Sequence, residues 1–283
     1  MKYFLSALIA FFFVHSNAQQ LEKSLLWKIS KKGVKTSYLY GTIHATCDSV
    51  LDKNVETAMK ATKQLYLEID MDDSGLQAAM MKDMNMKDGQ TLDQLASKED
   101  YEALSKFMED EMEIPIQYIK SIKPFFISAM FIPKILDCPM QSVEEHLMKI
   151  GKSQHEDIFG LETVEEQMHV FDAIPYKDQM DELVKSANDN LANDKKDFQE
   201  MLAIYKAKDL DKMLEMSEIS ENKLTSKFEA ELLTNRNKNW IPRIENIIKN
   251  TPTFFGVGAA HLGGENGVIK LLRKQGYKVE AVL

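Results

Sequence analysis

Apolar positions run together near the two ends of this chain and recur at helical intervals through its middle. Near the start, Ser24 to Ser30 and Thr36 to Tyr40 read as two strands, with Lys31 to Lys35 as the hairpin turn between them. A helix across about residues 52–64 leads to a third strand, Leu65 to Met71. Thr91-Leu92-Asp93-Gln94 has the spacing of a capping box, and Leu95, Leu104, Phe107 and Met108 follow at helical intervals. Ser142-Val143-Glu144-Glu145 opens a further helix that Gly151 is placed to close. A short strand, Asp157 to Glu162, runs into a second capping box at Thr163-Val164-Glu165-Glu166. From there to about Asn250 the pattern is helical, carried by Leu183, Val184, Ala187 and Leu191 and later by Ile244, Ile247 and Ile248. Thr253 to Val257 is an apolar run of the buried-strand type, Val268 to Gln275 a helix, and Tyr277 to Leu283 a last strand. Two or three strands alone are marginal, so the ends must meet in one sheet. The expected architecture is α/β, with a central sheet built from N- and C-terminal strands, flanking helices and a long helical middle region.

One local pattern occurs twice. Gly41-Thr42-Ile43-His44 follows the strand ending at Tyr40, and Gly258-Ala259-Ala260-His261 follows the strand ending at Val257. Glycine at a strand end lets the backbone turn without a Cβ clash. The histidine three residues later then stands on the loop beyond that strand, where ligands collect in sheets covered by helices. Only six histidines exist in the chain, and sheet closure would bring His44 and His261 towards a common site. His15 falls in the leader described next, and His146, His155 and His169 lie in polar contexts that suit solvated side chains.

Composition narrows the reading. The chain has 283 residues, 44% of them hydrophobic, enough for a sizeable core. Its net charge is −9, from 44 acidic and 35 basic residues, which argues against nucleic acid as a partner. Lys2, the apolar run Phe4 to Val14 and Ser16-Asn17-Ala18 form a secretory signal peptide over residues 1–18, cleaved before Gln19. Residues 19–283 are then expected as a single, exported domain, periplasmic or secreted. The run Phe125 to Leu136 is too short, and too interrupted by Pro133 and Lys134, to span a bilayer, so no membrane span is expected in the mature chain. Cys47 and Cys138 would reach an oxidising compartment and could pair. His44 and Cys47 also have His-x-x-Cys spacing, although further ligands at regular spacing are missing.

Several blocks in order resemble the TraB/GumN family, which includes the Tiki proteases, of the erythromycin-esterase/ChaN-like fold. They are Ser24 to Ile29, Tyr38 to His44, Leu67-Glu68-Ile69-Asp70, Gly160 to Gln167, Asn235-Arg236-Asn237 with Trp240, and Val257 to Gly267. The resemblance spans nearly all of the mature chain. It implies a mixed sheet flanked by helices, with both Gly-x-x-His histidines and a strand glutamate at an active site. For Tiki-like relatives it further implies peptidase activity dependent on a divalent ion, manganese or cobalt. Two departures stand out. Gly263 replaces the proline usual after His-Leu, and Ser142-Val143-Glu144 stands where the family commonly has an aspartate, so no role transfers to that position.

His44 and His261 are candidate metal ligands, since neutral imidazole suits manganese, cobalt or zinc. Glu68 interrupts an apolar strand, where a charge needs a reason, and could ligate the ion or act as base on a bound water. Glu162 is a second candidate carboxylate, and Arg236 could steady a developing oxyanion or fix a substrate carboxylate. Glu166 is accounted for as the capping partner of Thr163. Met80, Met81, Met84 and Met86 could suggest copper, but methionines are far commoner as core or groove residues. The expectation is an exported metal-dependent hydrolase, a peptidase, acting on a peptide or small molecule. The alternatives are a metal-free esterase-like hydrolase with histidine as base, or a peptide- or haem-binding module in the same pocket.

Overall fold

The structure is a computed structural model that describes residues 21–220 and 223–283. The signal peptide expected over residues 1–18 lies outside the described residues. Six strands form one mixed sheet: β1 (Leu26–Ser30), β2 (Ser37–Thr42), β3 (Gln64–Leu67), β4 (Asp157–Gly160), β5 (Thr253–Gly258) and β6 (Lys278–Ala281), in the order β4-β3-β5-β2-β1-β6. β1 runs antiparallel to both β2 and β6, and its hairpin with β2 turns at Gly33, whose φ is +80°. β2, β5, β3 and β4 are parallel to one another.

The late strand β5 sits between the early strands β2 and β3, with Tyr38 opposite Phe254 and Tyr66 opposite Phe255. Helices cover both faces of such a sheet, which is why Thr253 to Val257 is apolar without alternation. Phe254, Phe255 and Val257 have no exposed surface, nor has Leu39 beside them. The middle of the chain builds an apolar cluster of its own. It is centred on Leu104, Phe107 and Met108 of the Lys98–Met112 helix and on Met180 and Leu183 of the Tyr176–Asn188 helix. Beside it, Lys123 is almost wholly buried and ion-pairs with Asp172 at 2.7 Å. A buried amine is tolerated only when paired in this way.

Several local expectations shift by a few residues. The third strand stops at Leu67 rather than Met71, because Glu68 leaves the ladder for partners described below and Asp70 starts a turn with the Asp72 amide. The Thr91–Gln94 capping box forms, but it caps a short 3₁₀ turn, Leu92–Gln94. The long helix starts after its own cap, Ser97, which accepts the Asp100 N–H. Gly151 does not end its helix, which runs Val143–Ser153, and it packs against Leu65 where a Cβ would also fit. The Thr163 capping box is realised as read, with Thr163 and Glu166 bonding reciprocally. Cys47 and Cys138 pair in a disulfide, so Cys47 is no thiolate ligand. Met86 is buried in the helical core, as expected for a packing methionine. No helix among the described residues is long and apolar enough to cross a membrane.

Candidate functional site

The candidate residues leave the sheet along one edge. His44 follows β2, Glu68 follows β3, Glu162 follows β4 and His261 follows β5, all at the carboxyl ends of parallel strands. This is the edge where open α/β sheets place their ligands. β3 and β4 stay in contact just beyond their ladder, where the Glu162 amide donates to the Glu68 carbonyl at 2.9 Å. The two carboxylates therefore emerge side by side.

Arg236 joins these ends. It arrives on the Asn235–Ile247 helix, immediately after a wide π-type turn at Ala230–Thr234, a feature frequent at functional sites. Its Nη2 donates to Glu68 Oε2 and to Glu162 Oε1, each at 2.6 Å, and its Nε donates to Glu162 at 3.1 Å. Its Nη1 meets the Leu232 carbonyl and His261 Nε2, both at 3.0 Å. A guanidinium has five N–H donors, and all five are engaged. The expected role of Arg236 as a free donor to an oxyanion is therefore not available in this arrangement. It binds two buried carboxylates and a histidine together instead.

The tautomer of His261 follows from its neighbours. Arg236 can only donate, so His261 Nε2 accepts and Nδ1 carries the proton, donating to Asn237 Oδ1 at 2.6 Å. Asn237 is oriented by its own amide, which donates to the Asn266 carbonyl at 2.9 Å. The His261 ring is buried beside Trp240, with centroids 4.5 Å apart, and burial drives its pKa down to about 3, so it is neutral at pH 7. Burial alone would raise the Glu68 carboxyl. His261, the Arg236 cation, His44 and the Gly258 amide outweigh it and carry the group down to about 2. With His261 neutral, the durable part of that pull is Arg236, the cationic His44 and the amide. Glu162, which also accepts from Trp240 Nε1 at 3.0 Å, is shifted upward by burial.

The two Gly-x-x-His glycines serve a purpose other than turning. Neither has a positive φ. A Cβ on Gly258 would lie 3.1 Å from Glu68 Oε1, which accepts the Gly258 N–H at 2.8 Å. A Cβ on Gly41 would lie 3.1 Å from Ala259. Both glycines permit close approach, one of a carboxylate and the other of the neighbouring Gly-x-x-His loop.

The matching histidines end in opposite surroundings. His44 is open, its side chain 71% exposed, and its Nδ1 lies 2.7 Å from Glu144 Oε1, whose side chain is 4% exposed. The Glu144 contact raises the His44 pKa to about 9, so the ring is cationic at neutral pH. Burial acts against Glu144, yet His44, Thr42 and Ser142 hold its carboxyl below the ordinary value. Glu144 is the residue that motif reading passed over. Its signal was present in the pattern, since Glu144, Leu147 and Gly151 share one helical stripe and all three are buried. A glutamate on the apolar stripe of a helix needs a partner.

His44, Glu68, Arg236 and His261 line one cavity of about 490 Å³. Its lining includes the apolar Phe198, Met201 and Leu233 and the charged Glu182, Asp189, Asp194, Asp197 and Lys185. Glu162 does not line this cavity; it borders a second hollow that Arg243 and Asp70 also line.

This is the strand-end polar centre of an α/β protein, with a histidine backed by a buried carboxylate. The chain belongs to the TraB/PrgY/gumN family, whose profile matches residues 25–281. Among curated proteins it is similar to metalloprotease TIKI2 of Danio rerio, 20% identical over 94% of this chain and 64% of that protein. A metalloprotease TIKI homolog of Nematostella vectensis is 23% identical over 94% of this chain and 69% of its own length. Metalloprotease TIKI1 of Xenopus tropicalis is 20% identical, over 90% of this chain and 61% of its own length. The chain thus spans under two thirds of the length of some of these relatives. No solved structure matches it.

The relatives' names raise the question of a metal ion, and the donor set can be tested for one. Glu68 Oε1 and His261 Nε2 lie 3.7 Å apart, close enough to face a common point. Both oxygens of Glu68 are already engaged, Nε2 faces a guanidinium, and His44 leans on Glu144. No group of three or more His, Cys, Asp or Glu among the described residues is arranged to hold an ion. His44, Glu68 and His261 as they stand do not fit the expected three-ligand site, because Arg236 supplies the positive charge that the carboxylates require.

Proposed function

We propose that this chain is an exported hydrolase of peptide bonds, working in the cavity at the carboxyl edge of the sheet. One observation carries the reading. A solvent-open imidazole, His44, is held by a buried carboxylate, Glu144, and lines the same cavity as the ionised Glu68. The family and the Tiki relatives support it.

In this reading a peptide segment lies along the apolar part of the lining. His44, cationic at neutral pH, donates its proton to the leaving nitrogen. Glu68, ionised at neutral pH, orients the attacking water and receives its proton. Arg236 and Glu162 hold Glu68 and His261 in register and do not touch substrate. The relatives' names bring in a metal ion without naming the element; the sequence resemblance suggests manganese or cobalt first and zinc next, and every step above is carried by the chain's own side chains. A metal-free, esterase-type hydrolase is the second reading, favoured by the engagement of Glu68 and His261 with Arg236.

The test is cleavage of a peptide library and of simple aryl esters by the mature chain, with manganese, with cobalt and with EDTA. Peptide cleavage that disappears in His44→Ala supports the first reading, and its response to manganese, cobalt and EDTA decides whether an ion takes part. Ester cleavage indifferent to EDTA supports the second. Peptide cleavage unchanged in both His44→Ala and Glu68→Gln would refute the site.

A further inference from the structure

The loop carrying His44 and the segment carrying Glu144 are far apart in sequence, yet they are fastened along their whole length. The Cys47–Cys138 disulfide spans 91 residues and lies three residues after His44 and six before Glu144. Thr46 and Gln141 form a one-residue antiparallel bridge, their amides donating to each other's carbonyls at 2.9 and 2.8 Å. The Gln141 side chain closes the remaining gap. Its Oε1 accepts from the Ser49 amide at 3.2 Å and the Ser49 hydroxyl at 2.9 Å, while its Nε2 donates to the Cys47 carbonyl at 3.1 Å. The Val143 amide reaches the Ile43 carbonyl at 3.3 Å, and His146 Nδ1 meets the Ser49 carbonyl at 2.7 Å.

Such fastening exceeds what a surface loop needs to stay folded. Residues 43–49 belong to neither a strand nor a helix, so nothing in the sheet fixes where His44 points. Glu144, by contrast, is fixed by the helix that bears it. The bonds between the two segments are what convert a loop imidazole into one with a set position against its carboxylate.

We propose that the Cys47–Cys138 disulfide and Gln141 are positioning residues for the His44–Glu144 pair, so that turnover depends on the oxidised state of the chain. The proposal rests on the reading of His44 as the proton donor. A dithiol reductant would release the brace: one thiolate attacks a cystine sulfur, a mixed disulfide forms, and the second thiol closes on it. Cys47 and Cys138 become thiols, the reductant becomes a cyclic disulfide, and two electrons and two protons move.

The experiment compares wild type, wild type reduced with dithiothreitol, Cys47→Ser/Cys138→Ser and Gln141→Ala, all well below their unfolding temperatures. Two readouts are taken: the split between kcat and KM on a cleaved peptide, and amide hydrogen exchange by mass spectrometry. Loss of the disulfide should lower kcat by up to about 10²-fold, the cost of a misplacement near 1 Å, with KM little changed. Exchange should accelerate over residues 42–50 and stay slow over residues 253–261. Gln141→Ala keeps the disulfide and should show a smaller change of the same kind, which serves if the double variant does not fold. A purely structural role would lower the melting temperature and leave kcat of the folded protein alone, and that result overturns the proposal. Exchange of residues 42–50 unchanged on reduction also overturns it. Should the wild type cleave no peptide, the function reading fails, while the exchange measurement still decides whether the brace positions His44.

Discussion

Replacing Arg236 by methionine keeps much of the side-chain volume and removes the one cation between two buried carboxylates. Glu68 and Glu162 have side-chain exposures of 9% and 5%, so water cannot take over the role of the guanidinium. Breaking a buried pair by removing one partner typically costs about 3–5 kcal/mol. For a domain of this size, at about 2–4 °C per kcal/mol, the melting temperature should fall by roughly 6–20 °C at pH 7. The deficit should shrink on acidification, because carboxylates without their cation take up protons more readily and are then neutral. Adding Glu68→Gln and Glu162→Gln to the variant should recover much of the loss, since the stranded charges are then gone. Differential scanning calorimetry of wild type, single and triple variants between pH 5 and 7.5 measures all of this. A fall under about 2 °C in the single variant, or no recovery in the triple, would show that Arg236 does not carry the charge of the site.

Further outcomes follow from individual contacts. His44→Ala should lose turnover by about 10²–10⁴-fold and also lower the melting temperature, because it strands the buried Glu144 carboxylate; steady-state kinetics beside calorimetry checks both. Gly258→Ala sets a Cβ 3.1 Å from Glu68 Oε1 and should push the carboxylate off the Gly258 amide, lowering turnover with KM held; equal activity in the two proteins would refute the close-approach argument. His261 takes a proton only near pH 3 when folded, against 6.5 when unfolded, so acid should cost stability progressively between those values. Glu68 adds a loss of the same sign between about 4.5 and 2, while Glu162, shifted upward, opposes it. An imidazole NMR titration that protonates His261 near pH 6 in the folded chain would contradict this. The acidic residues lining the cavity should make peptides with lysine or arginine beside an apolar residue better substrates than glutamate equivalents. The preference should fade as salt rises.

What was legible in the sequence was local or periodic. The hairpin at Gly33, the Thr163 cap and the strand at Thr253 each depend on a few neighbouring residues, and each forms as read. Boundaries slipped where tertiary contacts took over, as at Leu67, where the chain leaves the sheet so that Glu68 can meet Gly258 and Arg236. His44, Glu68, Glu162, Arg236 and His261 were all found as candidates, and four of them line one cavity. Their roles were less legible. Whether a guanidinium is free or fully committed depends here on side-chain partners 25 to 168 residues away, which no motif spacing encodes. Glu144 was written into a helical stripe, but its partner His44 lies 100 residues earlier, and only the fold reveals why a charge sits there.

The position of β5 sets the order in which this protein can come into being. Until residues 253–258 are delivered, the β1–β2 hairpin and the β3–β4 pair share no ladder, for β5 alone hydrogen-bonds to β2 on one side and β3 on the other. Inserting a late segment between two early ones is a high-contact-order event and slow by nature. The same stroke delivers His261 and the Gly258 amide that holds Glu68. A chain still being synthesised therefore has every other part of the centre and no centre. The centre is completed all at once, with residues 253–261 near the end of the polypeptide.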